Sequence, residues 1–492
     1  MRVLATGSTG YIGGRLVPRL LDRGHLVRCI ARDPSHLDGR GWAGAEIVGG
    51  DLVDRDAVAR ALRNIEVAYY LVHSMASEKS FRERDHEMAR IFGEEAARAG
   101  VRRIVYLGGL GDPALVRSKH LVSRQEVGRA LASYGVPTVD FRAAVIVGSG
   151  SVSFEMLRAL TERLPFMVTP RWIDTKCQPI GLRDVLDYLL EALEHPTAQG
   201  TYEIGGRDVL TYREMMQAYA HLRGLHRLII ALPVPRPQWS SRFVDLVTPI
   251  PYRLAQPLVE SLRHEVIVRD DRALREFAVR PIGYTEAVTR ALARVVSDEV
   301  ETTWASSLAT GSDRTEGRQL ATHEGMLYER HRARVAASPA EVFAVICSLG
   351  GDSGWPAGNW LWQLRGMMDR MVGGVGMRRG RRHPRELRVG DPIDFWRVEA
   401  MEEPRLLRLR AEMKLPGEAW LQFEVTADLD GCTVEQTAFY DPRGLLGYLY
   451  WYAVVPFHRF IFPGLLATVR ARAESRASAA TPSATSSARD SA

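Results

Sequence analysis

The segment TGSTGYIGGRL, residues 6–16, constrains the fold of this chain more than any other stretch. It joins an apolar strand-like run, RVLAT at 2–6, to a pattern read as a helix from about Tyr11 to Arg23. Between a strand and a helix each glycine has its own task. Gly7 permits the tight turn, Gly10 lets backbone approach an anion, and Gly13 lets helix and strand pack closely. The helix N-terminus then presents unpaired N–H groups to that anion. Position, spacing and flanking elements together mark a pyrophosphate-binding loop. The ligand expected is a dinucleotide held by Gly7, Ser8, Thr9, Gly10, Tyr11, Ile12 and Gly13.

Apolar runs continue to alternate with helical patterns: LVRCIA (26–31), AEIVG (45–49), VAYYLV (67–72), RRIVYL (102–107) and PTVDFR (137–142). Strands separated by helices require right-handed crossovers. The fold class expected is therefore α/β, a doubly wound parallel-sheet Rossmann domain. From about 151 to 300 the strands thin out, and RDVLDYLLEALEH (183–195) reads as a helix over one end of the sheet. Residues 1–300 are expected to form one NAD(P)-binding unit with a small substrate lobe.

The chain has 492 residues, too many for one ordinary domain. Residues 301–325, centred on ASSLATGSDRTEGRQLAT, are polar and small, the composition of a linker. A second domain, 326–473, follows, and the Ala/Ser/Thr-rich tail 474–492 is expected to be disordered. A net charge of +6 is modest for this length and asks for no nucleic-acid partner. The four cysteines, Cys29, Cys177, Cys347 and Cys432, lie far apart and lack metal-ligand or disulfide spacing. That usage suits a reducing cytoplasm, and no metal is expected. Met1 and Arg2 run straight into the first strand, so no signal peptide is expected.

The second strand ends at Ile30-Ala31, followed by Arg32 and Asp33. A carboxylate there would hold a ribose 2′-hydroxyl, whereas Arg32 attracts a 2′-phosphate. The expectation is NADP(H) over NAD(H), with Asp33 keeping NAD(H) open. Asp51 and Leu52 close the third strand, where Asp51 either meets the adenine amino group or caps the next helix. The loop after the fourth strand places Val72 and His73 beside the cofactor, with Ser74 a further polar candidate.

The glycine loop, ARDP after the second strand and GD after the third resemble an atypical short-chain dehydrogenase/reductase. The likeness is to the NmrA-like and complex-I-subunit-like NAD(P)-binding proteins, over roughly residues 1–300. It implies a dinucleotide at the strand C-termini. Members of that family usually carry Ser after the fifth strand and Tyr-x-x-x-Lys on the next helix. This chain has Gly108 and Gly109 in the serine region, with His120 and Arg124 at the tyrosine and lysine positions. His120 titrates near neutrality and is a candidate general acid. Arg124 can bind ribose but cannot lose a proton. Gln178 and Arg183, in CQPIGLRDV, are further cleft candidates, with structural roles as the alternative.

In the second half, Ser338, Pro339 and Glu341 form a capping box that starts a helix. Four strand-like runs and a helical segment, 443–473, follow. VAASPAEVFAVI (335–346) and this element order resemble the START-like helix-grip superfamily, which implies an apolar cavity between sheet and final helix. Trp360, Trp362, Trp396, Trp420, Tyr450 and Trp451 are candidate lining residues, with His458 or Arg459 as a polar contact. The stretch 445–469 is long and apolar enough to span a bilayer, but Arg459 and two prolines favour a core helix or peripheral membrane association. The arginine run 377–388 reads as a solvated face or an anion contact. Two functions remain open. One is an NADPH-dependent oxidoreductase acting on a hydrophobic carbonyl or quinone-like molecule. The other is a non-catalytic NADPH-binding redox sensor or assembly factor with a lipid-binding domain.

Overall fold

The computed structural model describes residues 1–37, 40, 42–72, 81–111, 119–232, 247–248, 252–297, 318–323, 325–350, 354–355, 359–371, 373–374, 376, 383 and 386–480. The chain forms two compact units, Met1–Ser312 and Asp313–Ala492.

The first unit is built on strands β1 (Arg2–Thr6), β2 (Leu26–Ala31), β3 (Glu46–Gly49), β4 (Val67–Tyr70), β5 (Arg103–Gly109) and β6 (Thr138–Ala143). A seventh strand, Gly200–Ile204, joins the edge, in a region where the sequence pattern had thinned. All seven are parallel, in the order seventh–β6–β5–β4–β1–β2–β3. Parallel sheets are covered on both faces, and side chains alternate between them. Val3, Ala5, Tyr69, Val105 and Phe141 point to one face, where α1 (Gly13–Asp22) packs. Leu4, Ala68, Tyr70 and Ile104 point to the other, against α2 (Arg55–Leu62) and α3 (Phe81–Arg98). Between β5 and β6 the chain forms α4 (Lys119–Ala132). The strand order reverses between β1 and β4, which opens a crevice at their carboxyl ends.

The lobe that follows β6 has its own apolar cluster. It draws on α5 (Val152–Arg163) and α7 (Tyr212–Leu222), while α6 (Leu182–Glu194), between them in the chain, lies outside it. A capping box fixes the start of α7, with Thr211 N donating to Glu214 (2.7 Å) and Glu214 N to Thr211 Oγ1 (3.1 Å). Helix α6 departs from the sequence expectation. It lies on the sheet face beside α1, with Val185, Leu186, Leu189 and Leu193 in the shared core. The Tyr69 hydroxyl donates to the Leu189 carbonyl there (2.8 Å). Its broad apolar stripe needs a flat apolar partner, which the sheet face supplies and the end of a sheet does not.

The second unit is an antiparallel sheet. In spatial order its strands are 318–323, 326–335, 431–442, 417–428, 406–411, 396–402 and 392–393. The helix Pro339–Ile346 begins at Ser338, whose N–H donates to Glu341 (2.9 Å), while Glu341 N donates to Ser338 Oγ (3.3 Å). A helix from Gly444 to Ala480 packs one side on the sheet through Ile461, Phe462, Leu465, Leu466 and Val469.

Several expectations need correction here. The linker assigned to 301–325 contains a strand, Arg318–His323, which forms a hairpin with Met326–Val335 across Gly325 at φ +75°. The tail assigned to 474–492 is helical as far as Ala480, because Ala473 is fully buried and Glu474 accepts from Ala336 N (3.1 Å) and Arg470 (3.0 Å). The run 391–402 is broken at Asp394, at φ +55°, whose carboxylate accepts from Trp355 Nε1 (2.8 Å). Trp360 and Arg459 are exposed and line no interior. Trp420 alternates with Leu421 and Phe423 and so points to the opposite sheet face. Apart from His383 and 386–388, the arginine run 377–388 lies outside the described residues.

Candidate functional site

The loop after β1 has the geometry its glycines require. Gly7 sits at φ +65°, and a Cβ there would meet the Leu71 carbonyl oxygen at 2.6 Å. Gly10 N donates to Gly7 O (2.9 Å), closing the turn. A Cβ on Gly13 would lie 2.3 Å from Gly7 O, so the first turn of α1 rests directly on the loop. No acidic residue occupies that turn, so no side-chain charge opposes an anion at the helix N-terminus. Leu71 N donates to Thr6 Oγ1 (3.0 Å) and ties β4 to β1 at the crevice. Arg15 is buried in α1. It donates to Ser149 O (2.9 Å) and covers the Tyr11 ring at 4.4 Å.

A cleft of about 640 Å³ runs across these strand ends. Gly7, Thr9, Gly10, Tyr11, Ile12, Gly13, Arg32, Asp51, Leu52 and Val72 line it. A bound dinucleotide fits this lining, because the close backbone approaches leave no Cβ between the loop and a pyrophosphate. Ser8 departs from expectation. It is fully buried and does not line the cleft, since its side chain turns under the loop towards Cys29. His73 and Ser74 lie outside the described residues.

Arg32 is exposed and lines the cleft, whereas Asp33 is engaged elsewhere. The Asp33 carboxylate accepts from Ser35 N (3.0 Å) and Ser35 Oγ (2.7 Å), which holds its carboxyl below the ordinary range. Asp51 pairs with Arg84 at 2.8 Å. It does not cap α2, whose cap is Asp54, accepting from Asp56 N (3.0 Å) and Ala57 N (3.3 Å). Replacing Arg32 by Asp is expected to weaken NADPH binding by a charge-assisted phosphate contact, about 1.5–3 kcal/mol. NADH affinity should hold or rise. Calorimetric titration with both dinucleotides checks this, and unchanged selectivity would remove Arg32 from the phosphate site.

At the reaction end, Gly108 and Gly109 line the cleft where the resemblance called for serine. A Cβ on Gly109 would approach Leu121 Cδ2 at 2.8 Å, and one on Gly108 would meet Asp140 Oδ1 at 3.1 Å. The close approach of α4 therefore favours glycine at 109, and that of Asp140 on β6 and the Tyr106 ring favours it at 108. Arg124 lines the cleft and donates to the Leu107 carbonyl at the end of β5. Tyr106 in turn donates to the Arg124 carbonyl (2.9 Å). His120 belongs to the first turn of α4, and its side chain lies outside the described residues. Gln178 and Arg183 are structural. Gln178 bonds Gly206 O (2.8 Å) and Val268 N (2.9 Å), and Arg183 bonds Asp184 (2.9 Å).

A second cavity, about 200 Å³, adjoins the cleft inside the lobe that follows β6. Its walls are apolar and include Met156, Leu157, Leu160, Met167, Trp172 and Met216. Val145, Ser153, Tyr212 and Leu262 line both spaces and form the seam between them. Ser151 lines the cleft beside the seam, its hydroxyl donating to Ile146 O (2.8 Å). Burial pushes the Tyr212 hydroxyl well above the ordinary phenol range, so it stays protonated. Sequence reasoning missed this chamber and its polar rim. No local motif marks them, because they come from five separated segments after residue 144. The combined site can hold a dinucleotide along the strand ends and an apolar molecule at the seam, out of water.

A family model described as NAD(P)H-binding matches residues 7–135, and one described as a protein of unknown function, DUF2867, matches residues 322–465. The sterol demethylase protein B of Methylococcus capsulatus is 29% identical over 199 residues, 38% of this chain and 57% of that protein. The chain thus spans little more than half the length of that relative. The (4-alkanoyl-5-oxo-2,5-dihydrofuran-3-yl)methyl phosphate reductase of Streptomyces griseus is 31% identical over 224 residues, 45% of this chain and 74% of that protein. Among solved structures, the triphenylmethane reductase of Citrobacter sp. shares the fold of the first unit. It superposes with a TM-score of 0.50 at 18% identity, over 60% of this chain and 100% of that one.

Proposed function

The chain belongs, through its first unit, to the NAD(P)H-binding reductase family that includes the Streptomyces griseus phosphate reductase. On that footing we propose that it is an NADPH-dependent reductase of a hydrophobic carbonyl or quinone-like small molecule. The observation that carries this reading is the seam, where an apolar chamber opens onto the dinucleotide cleft.

Bound NADPH supplies a hydride. The glycine loop and α1 hold the pyrophosphate, and Arg32 takes the 2′-phosphate. Arg124, fixed to the Leu107 carbonyl, keeps further guanidinium donors for the ribose. Met156, Leu157 and Leu160 bury the apolar body of the substrate and exclude water, which strengthens polar contacts at the seam. Ser153 orients the carbonyl oxygen as a hydrogen-bond donor, and the Tyr212 ring, its hydroxyl turned to the buried Cys177, closes the apolar wall of the seam. His120, on the helix that carries Arg124, is the candidate to deliver the proton to that oxygen.

The glycine pair and the absence of Tyr-x-x-x-Lys favour a second reading, an NADPH-binding sensor without turnover. NADPH oxidation with a panel of quinones and long-chain ketones separates the two. Leu160→Trp, which fills the chamber, is expected to raise KM at least tenfold while NADPH affinity stays unchanged. Tight NADPH binding with no oxidation across the panel would favour the sensor.

The second unit is proposed to be a START-like helix-grip domain that shelters an apolar ligand between sheet and final helix. A buried polar set on the sheet's helix-facing side supports this. The fully buried Glu329 accepts from His331 Nε2 (2.9 Å) and His458 Nδ1 (3.1 Å), and both ends of the buried Gln436 amide lack partners. A pocket of this class is mostly apolar with a few convergent polar groups. A buried amide without partners costs free energy that a ligand's polar group can recover.

A further inference from the structure

The helix Gly444–Ala480 is apolar around its whole circumference over its first four turns, yet only one side meets the sheet. Leu446, Leu449, Tyr452, Phe457 and Phe460 are 48–77% exposed on the other side. A helix apolar all round calls for an apolar environment all round. The helix Asn359–Met371 repeats the pattern with Trp360, Leu364, Met367 and Met371, 41–80% exposed at spacings of one helical turn. The Arg365 guanidinium lies 5.0 Å over the Tyr450 ring, a direct contact between the two helices. Exposed apolar side chains in this number, repeated along two helices that touch, mark an interaction site.

Charge selects the partner. Between Gly444 and Ala473 there is no Asp or Glu. In the helix Asn359–Met371 the one acidic residue, Asp369, is buried, accepting from Lys414 N and Gly376 N (both 2.8 Å). Arg370, Arg443 and Arg459 are exposed, so the charges at this face are positive. Aromatic and aliphatic side chains with a cationic rim fit the interface of an anionic bilayer. A spanning helix does not fit. Phe462, Leu465 and Val469 are packed in the sheet core and His458 is bonded to the buried Glu329, so half the circumference is committed to protein.

We propose that the second unit docks on the surface of an anionic lipid membrane through the outer faces of these two helices. The inference does not depend on the reductase reading. Flotation of the full chain tests it, with phosphatidylcholine vesicles compared against vesicles that also contain phosphatidylglycerol. The protein is expected to float with the anionic vesicles, less so as salt is raised, and to be released by alkaline carbonate. Leu449→Glu and Phe460→Glu, both at exposed positions, should abolish flotation while leaving NADPH affinity unchanged. Arg459→Glu should weaken the anionic preference about fivefold or more. Failure to float on either vesicle overturns the proposal, as does resistance to carbonate, which would mean a spanning helix. So does self-association that Phe460→Glu abolishes in a protein that ignores vesicles, which would make a second copy of the chain the partner.

Discussion

Replacing Gly13 by alanine is expected to lower NADPH affinity at least about 100-fold, some 2.7 kcal/mol, while the fold of both units persists. The added Cβ would sit 2.3 Å from Gly7 O, 2.8 Å from Gly7 C and 2.9 Å from Ser8 Cα. All three are backbone atoms, so no rotamer change can relieve the contact. Either the loop or the first turn of α1 must move by much of an ångström. The anion site consists of N–H groups aimed from these two segments, and its strength depends on their joint placement. Gly24, at φ +76° with nothing near its Cβ direction, serves as a comparison. Alanine there should strain the backbone but leave cofactor affinity within about twofold, a stability effect of roughly 1 kcal/mol. NADPH fluorescence titration of both variants reads the difference. A Gly13→Ala protein that binds as the wild type does would show that the loop is not the pyrophosphate site.

Replacing Glu329 by alanine is expected to destabilise the second unit by about 2–5 kcal/mol, the cost of leaving two buried ring donors without their acceptor. Its carboxyl group is wholly inaccessible and serves two imidazoles at once, His331 on its own strand and His458 on the long helix. Removing it leaves both ring N–H groups without their acceptor and a void beside Phe462, which packs 4.4 Å from the His458 ring. Glu329→Gln keeps one acceptor oxygen and should lose less. Urea unfolding, read by tryptophan fluorescence, gives the loss, with NADPH affinity as the control on the first unit. A change under about 1 kcal/mol would mean that the cluster contributes little to stability.

Much of the architecture could be read along the chain. The glycine loop fixed the first crossover, and six parallel strands fell where apolar runs met helical patterns. The capping box at Ser338 and Glu341 started its helix as its residue types require. In each case the signal lies within a few residues, where the backbone's own hydrogen bonds and dihedral limits decide the outcome. The assignment of Arg32 to the cofactor cleft was legible for the same reason, since a strand end fixes which residue meets the crevice.

Other features had no local signal. Gly200–Ile204 is a strand because β6 offers it an open edge, and Arg318–His323 is one because Met326–Val335 folds back on it. The helix continues to Ala480 because Ala473 lies in the core and Glu474 reaches Ala336, 138 residues away. Asp51 pairs with Arg84 on α3, 33 residues away, and not with the α2 terminus. Local sequence thus carried six parallel strands, the capped helix at Ser338 and the dinucleotide loop, whose energetics are local backbone geometry. Only the tertiary structure decided the apolar chamber, the seam at Ser153 and Tyr212, and the buried Glu329 cluster. These arise where distant segments meet, and such contacts form only when packing repays the entropy of closing the chain between them.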